Sequence, residues 1–99
     1  MARFEAFRNP GGAGYLLDVQ ANLLSHLTTA VVVPLLPLAS APQQAARLNP
    51  TLIVNGEPCS LLTQFMAAVP KSELKELVAR LESDGQTVLD AIDFLHQGW

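Results

Sequence analysis

Among the side chains in this 99-residue sequence that could shuttle protons, attack carbonyls or phosphates, or ligate metals, six are the candidates for chemistry: Asp18, His26, Glu57, Cys59, Asp93 and His96. A hydrolase or nuclease needs a positioned base, and a nucleophile or water beside a group that stabilises developing charge. These candidates are scattered through expected loops, strand ends and a helix. His26 stands in the polar turn "SHLTT" and reads as a solvated loop histidine. His96 flanks an apolar stripe near a helix C-terminus, where the helix dipole favours imidazolium, and reads as a structural or interface residue. Cys59 is the sole cysteine, so it has no partner for an internal disulfide or a metal site. It reads as a small buried hydrophobe in a reducing compartment. Paired-cysteine and His-Glu-x-x-His signatures are absent, as is the glycine-rich phosphate loop ending in lysine. The "GGAG" of Gly11 to Gly14 precedes a strand rather than a helix, so it lacks the phosphate-cradling geometry. On these grounds the chain reads as a non-catalytic interaction domain, with no cofactor and no metal.

Charge points the same way. The formal net charge is −3, and after residue 70 the cations Lys71, Lys75 and Arg80 face Glu73, Glu76, Glu82, Asp84, Asp90 and Asp93. Nucleic-acid affinity comes largely from cations that displace phosphate counterions, so strong nucleic-acid binding by the chain alone is not expected. Charged residues make up 15% of the sequence and hydrophobic ones 49%, against about 25% charged in an average soluble domain. The apolar surplus is expected to meet another chain, and 99 residues suit one domain, 1–99, that gains burial from a partner subunit. Pro34, Pro37, Ser40 and Pro42 break the longest apolar run below the roughly 18 residues a membrane helix needs. "MARFEAFRN" lacks the apolar core of a secretory signal. A cytoplasmic location is expected.

The elements that must position these residues follow from periodicity. "RFEAF" alternates, and Tyr15 to Leu24 alternates more clearly, with Tyr15, Leu17, Val19, Ala21 and Leu23 on one face and the wetter Leu16, Asp18, Gln20, Asn22 and Leu24 on the other. An antiparallel hairpin across Asn9 to Gly14 is expected. Adjacent Leu23 and Leu24 would then point to opposite faces, leaving one exposed. "TTAVVVPLL" is rich in β-branched residues, but Pro34 removes a ladder donor, which predicts a short or edge strand. Leu35 to Asn49 reads as an irregular crossover with one helical turn at Gln43 to Leu48. Asn55-Gly56 suits the two positive-φ positions of a type I′ turn, so "PTLIVNGEPCSLL" is a tight hairpin, and "FMAAVP" supplies a further short strand.

Leu74, Leu77, Val78 and Leu81 then fall at helical spacing, with Glu76 and Arg80 as an i, i+4 pair. This predicts a helix over Lys71 to Glu82. Ser83 with Gln86 resembles a capping box for a second helix that runs to the end, with Val88, Ile92, Leu95 and Trp99 on one stripe. Gly98 is suited to a left-handed helix ending.

The alternating "YLLDVQANLL", the "VVVPL" of Val31 to Leu35, the hairpin "PTLIVNGEPCSLLTQFMAAVP" and the terminal "DAIDFLHQGW" together resemble the CcdB family of plasmid and chromosomal toxins. The most specific pieces are "LDVQ" at Leu17 to Gln20, Pro34-Leu35, and "MAAVP" at Met66 to Pro70. The resemblance spans nearly the whole chain, with gaps at about residues 9–14, 25–30 and 37–48. It implies a mainly β fold with a C-terminal helix, a small SH3-like barrel of the CcdB/MazF type, and a cytoplasmic homodimer. It also implies a toxin–antitoxin system that serves plasmid maintenance. The toxin would bind the A subunit of DNA gyrase and trap the enzyme on cleaved DNA. A CcdA-like antitoxin would neutralise it and repress the shared operon with it.

The family's gyrase contact carries over to Leu23, Leu24, Asp93, Gly98 and Trp99. The family ending "FWGI" is here "HQGW": Gly98 matches, His96 and Gln97 replace the aromatic pair, and Trp99 falls two places late. Two residues turn a helix by roughly 200°, so Trp99 regains the same pocket only if the chain leaves the helix at Gly98. Otherwise it folds back on Leu95. Two alternatives stay open, a non-toxic antitoxin partner and operon co-regulator, and a MazF-like endoribonuclease. The latter would need a basic groove and a proton-transferring residue, and the acidic balance speaks against it.

Overall fold

The computed structural model describes residues 2–42 and 45–97. Among them seven strands form one curled antiparallel sheet: β1 (Glu5–Arg8), β2 (Tyr15–Asp18), β3 (Thr29–Pro37), β4 (Thr51–Val54), β5 (Glu57–Leu61), β6 (Ala67–Pro70) and β7 (Leu77–Arg80). Their order is β4-β5-β3-β2-β1-β7, with β6 paired to β3 off this path. Helix α1 (Gly85–Gln97) completes the chain. The expected mainly β fold with a C-terminal helix is what forms, its sheet curled into a half-barrel.

Its main core joins Ala6, Leu17, Val33, Leu35, Val54, Leu61 and Leu81 of the sheet side to Val88 and Ala91 of α1. A second cluster, Phe7, Leu16, Ala30, Val32 and Leu74, with Val69 against it, covers the other side of β1 to β3. This second cluster overturns the wet face expected for Leu16 and Asp18, which are only 8% and 4% exposed. Strand β6 and the segment after it fold over that face, so both sides of β2 are dry. β2 also stops at Asp18, and Asn22–Leu24 form a 3-10 turn instead of continuing the strand.

β3 is neither short nor at an edge. It runs nine residues through the middle of the sheet, pairing β2 on one side, and on the other β6 along Thr29 to Val32 and β5 along Leu35 to Pro37. Val19 N–H donates to Val31 O at 3.0 Å, so by alternation along the ladder Val33 and Leu35 also face β2 and Pro34 faces away. Pro34 thus lies where β6 hands over to β5. Its missing N–H falls in the gap, and its carbonyl accepts Leu62 N–H at 2.9 Å.

The helix expected over Lys71 to Glu82 is absent. Lys71–Glu73 make a 3-10 turn and Leu77–Arg80 form β7, paired antiparallel to β1. Glu76 and Arg80 do not pair with each other. Glu76 takes Arg8 at 3.2 Å and Arg80 takes the buried Glu5 at 3.1 Å. Tertiary contact with β1 overrides a weak local propensity.

The Asn55-Gly56 turn forms as expected, with φ of 50° and 85°. Gly14, at φ 82°, ends the β1–β2 loop, and a Cβ there would strike the Leu35 carbonyl oxygen, so only glycine fits. The crossover keeps one turn, Leu48 and Asn49 N–H donating to Ala45 O at 3.0 and 2.7 Å, while Gln43 and Gln44 lie outside the described residues. Gln86 does not reach back as a capping-box partner. Its amide donates forward to Asp90 at 2.8 Å. α1 begins at Gly85, and a Cβ there would come within 2.7 Å of the Phe4 ring, which is why glycine stands at this position.

Candidate functional site

The segment from Ala21 to Thr29 leaves β2 and returns as β3, and every side chain in it is exposed. It presents three leucines, Leu23 at 88%, Leu24 at 41% and Leu27 at 40% exposure. Leu23 and Leu24 therefore do not split between two strand faces. Both stand outward on one 3-10 turn, closed by Leu24 N–H to Ala21 O, Ser25 N–H to Asn22 O and Leu27 N–H to Leu24 O.

With no apolar anchor, the segment is held by polar groups from below. The Gln20 side chain is the central one: its Oε1 accepts Val31 N–H at 3.2 Å, and its amide donates to Leu24 O at 3.3 Å and Thr29 O at 3.1 Å. Gln20 N–H in turn donates to the Asp18 carboxylate at 2.9 Å. Lys71 donates from its ammonium to Ser25 O and from its backbone to Thr28 O. Asn22 accepts Arg3 N–H at 2.8 Å. Burial raises the Asp18 carboxyl above its ordinary range, partly opposed by the Gln20 hydrogen bond and by Lys71.

Asp93 is exposed on α1, at a cleft of about 510 Å³ lined also by Arg47, Pro50, Thr87, Asp90 and Gln97. The Arg47 guanidinium lies 4.5 Å from the Phe94 ring centroid beside it. Among the described residues no hydrogen bond or ion pair joins this cleft to the leucine turn. Gly98 and Trp99 lie outside the described residues.

The groups considered for chemistry do not converge. His26 and His96 are exposed, on the leucine turn and on α1. Cys59 is buried, and burial pushes its thiol up, away from the reactive thiolate. Glu57, at the start of β5, accepts the Tyr15 hydroxyl at 3.4 Å. Among the described residues no three His, Cys, Asp or Glu side chains group as a metal site would require, and no helix is long and apolar enough to cross a membrane.

Residues 3–98 match the family described as CcdB protein. The chain belongs to the CcdB family. Membership makes it a toxin of a toxin–antitoxin system. No curated protein sequence matches this CcdB-family chain. Among solved structures it is similar to an endoribonuclease in complex with its cognate antitoxin from a Mycobacterial species, with TM-score 0.80 and 16% identity over 100% of this chain and 98% of that one. It is also similar to an endoribonuclease from a Mycobacterial species, at 0.77 and 15% over 100% and 94%. The Mycobacterium tuberculosis toxin MazF-mt6 follows at 0.72 and 16% over 92% and 93%. At such identities the likeness is one of fold.

Within this CcdB-family fold, the sequence singles out Leu23 and Leu24, and the structure adds Leu27 to the same exposed turn and Gln20 and Lys71 beneath it. Leu27 carried a readable signal, an apolar residue inside the polar "SHLTT" stretch. Lys71 carried none, because its partner Ser25 is 46 residues away in sequence.

Proposed function

We propose that this CcdB-family toxin acts by docking, as a homodimer in the cytoplasm, on the A subunit of DNA gyrase, and that it traps the cleaved-DNA complex. Leu23, Leu24 and Asp93 form the described part of the contact, with Gly98 and Trp99 completing it at the C-terminus. A CcdA-like antitoxin neutralises the toxin and joins it in repressing the operon. The reading needs no reacting group in the toxin and treats it as a non-enzyme.

The observation that carries it is Leu23. A leucine 88% exposed contributes almost nothing to its own fold, whereas covering it on a partner is worth about 1.5–3 kcal/mol. Outward leucines on a turn fixed from beneath are what a docking surface requires.

The test is expression of the chain in a gyrase-sensitive bacterium, scoring viability, gyrase cleavage complexes and RNA integrity. Growth arrest with cleavage complexes supports the proposal. Arrest with fragmented RNA favours the endoribonuclease reading, which likeness to structures of that name keeps in view, and normal growth favours a co-regulator without toxicity.

A further inference from the structure

The leucine turn poses a physical problem. Leu23, Leu24 and Leu27, on a segment with no buried side chain, gain by collapsing on one another or on the sheet, since apolar area leaving water is favourable wherever it goes. What opposes collapse is the set of backbone groups that the turn has committed to side chains rooted elsewhere. The carbonyls of Leu24 and Thr29 are taken by Gln20, and that of Ser25 by Lys71. Gln20 in turn is fixed at its own N–H by Asp18, which is buried.

We infer that Gln20 and Lys71 are positioning residues for the docking contact, holding Leu23, Leu24 and Leu27 outward before any partner arrives. The inference rests on the gyrase reading for its functional consequence and on the geometry alone for its structural one. Preorganisation raises affinity by removing the ordering cost from the binding step. Loss of either side chain should therefore weaken binding although the leucines themselves remain.

The experiment uses the full chain in four forms: unaltered, Lys71→Met, Lys71→Arg and Gln20→Glu. Lys71→Met keeps the stem and loses the donor. Lys71→Arg restores a donor. Gln20→Glu keeps the acceptor for Val31 N–H and loses both donations. Amide hydrogen exchange over residues 21–28 is measured alongside affinity for purified gyrase A subunit. Expected are exchange about tenfold faster in the turn for Lys71→Met and Gln20→Glu, unchanged exchange in β3 and α1, an affinity about tenfold lower, and recovery of both in Lys71→Arg.

Unchanged turn exchange in Lys71→Met and Gln20→Glu overturns the inference, as does faster exchange with full affinity. If slow-exchanging core amides in one variant also speed up, that variant has lost its fold and the other decides. If the unaltered chain does not bind gyrase A, the gyrase reading falls, while the exchange data, which need no partner, still judge whether the two side chains hold the turn.

Discussion

The side-chain amide of Asn55 donates to the backbone carbonyl of Val78 at 2.9 Å, tying the turn beside one edge strand, β4, to the other edge strand, β7. No ladder joins these two edges, so this bond is a clasp on the open side of the half-barrel. Asn55 also occupies φ 50°, and its two roles can be separated. Asn55→Gly keeps the turn and loses the bond, at a cost of about 1 kcal/mol. Asn55→Ala loses the bond and strains the backbone, for a total of about 2–3 kcal/mol. Urea unfolding measures both, and full stability in Asn55→Gly means the clasp contributes nothing.

Leu74 and Leu77 distinguish the observed strand from a helix. A helix would bury both on one stripe, whereas here Leu74 is 6% exposed and Leu77 39%. Leu74→Ala is expected to destabilise by about 2–4 kcal/mol, and Leu77→Ala by less than about 1 kcal/mol. Equal losses in chemical denaturation contradict the β1–β7 pairing.

Asp18 sets a pH dependence. Its folded-state carboxyl lies above the ordinary range because it is buried, so the folded chain binds this proton more tightly than the unfolded one. Its contribution to stability is greatest below the unfolded value, about 3.9, and declines as pH rises through the folded one. Asp18→Asn does not ionise and keeps an oxygen for Gln20 N–H. The stability of Asp18→Asn relative to the unaltered chain should therefore rise between roughly pH 3 and pH 7. A flat difference across that range, by thermal or urea melts, rejects the assignment.

Leu23→Ala separates docking from folding. With Leu23 at 88% exposure, unfolding free energy should move by no more than about 0.5 kcal/mol. Gyrase A capture and growth arrest should fall about tenfold or more. A variant that arrests growth as well as the unaltered chain removes Leu23 from the contact.

What could be read from the sequence was local. Asn55-Gly56 announces its turn because the conformation is intrinsic to the two residues, and α1 announces itself through Val88, Ile92 and Leu95. β7 was hidden because Leu74, Val78 and Leu81 fall at helical spacing while being buried by different things: Leu74 in the cluster over β2 and β3, Leu81 in the main core, and Val78 packed against that core. Pro34 misled because its cost depends on which side its nitrogen faces, a matter decided only when β5 and β6 take their places. The exposed leucines were visible as misplaced apolar residues. Their supports were not, since a lysine that reaches a carbonyl 46 positions away leaves no mark in either neighbourhood.

The pairing of β1 with β7 joins Glu5 to Arg80 and Ala6 to Ala79. A ribosome adds about 5–20 residues per second, so during synthesis the opening strand must wait several seconds for its far neighbour, and β3 waits likewise for β5 and β6. A nascent chain halted before Arg80 therefore has β1 without its far neighbour and an incomplete sheet. For this fold, closure of the sheet is deferred until translation is nearly over.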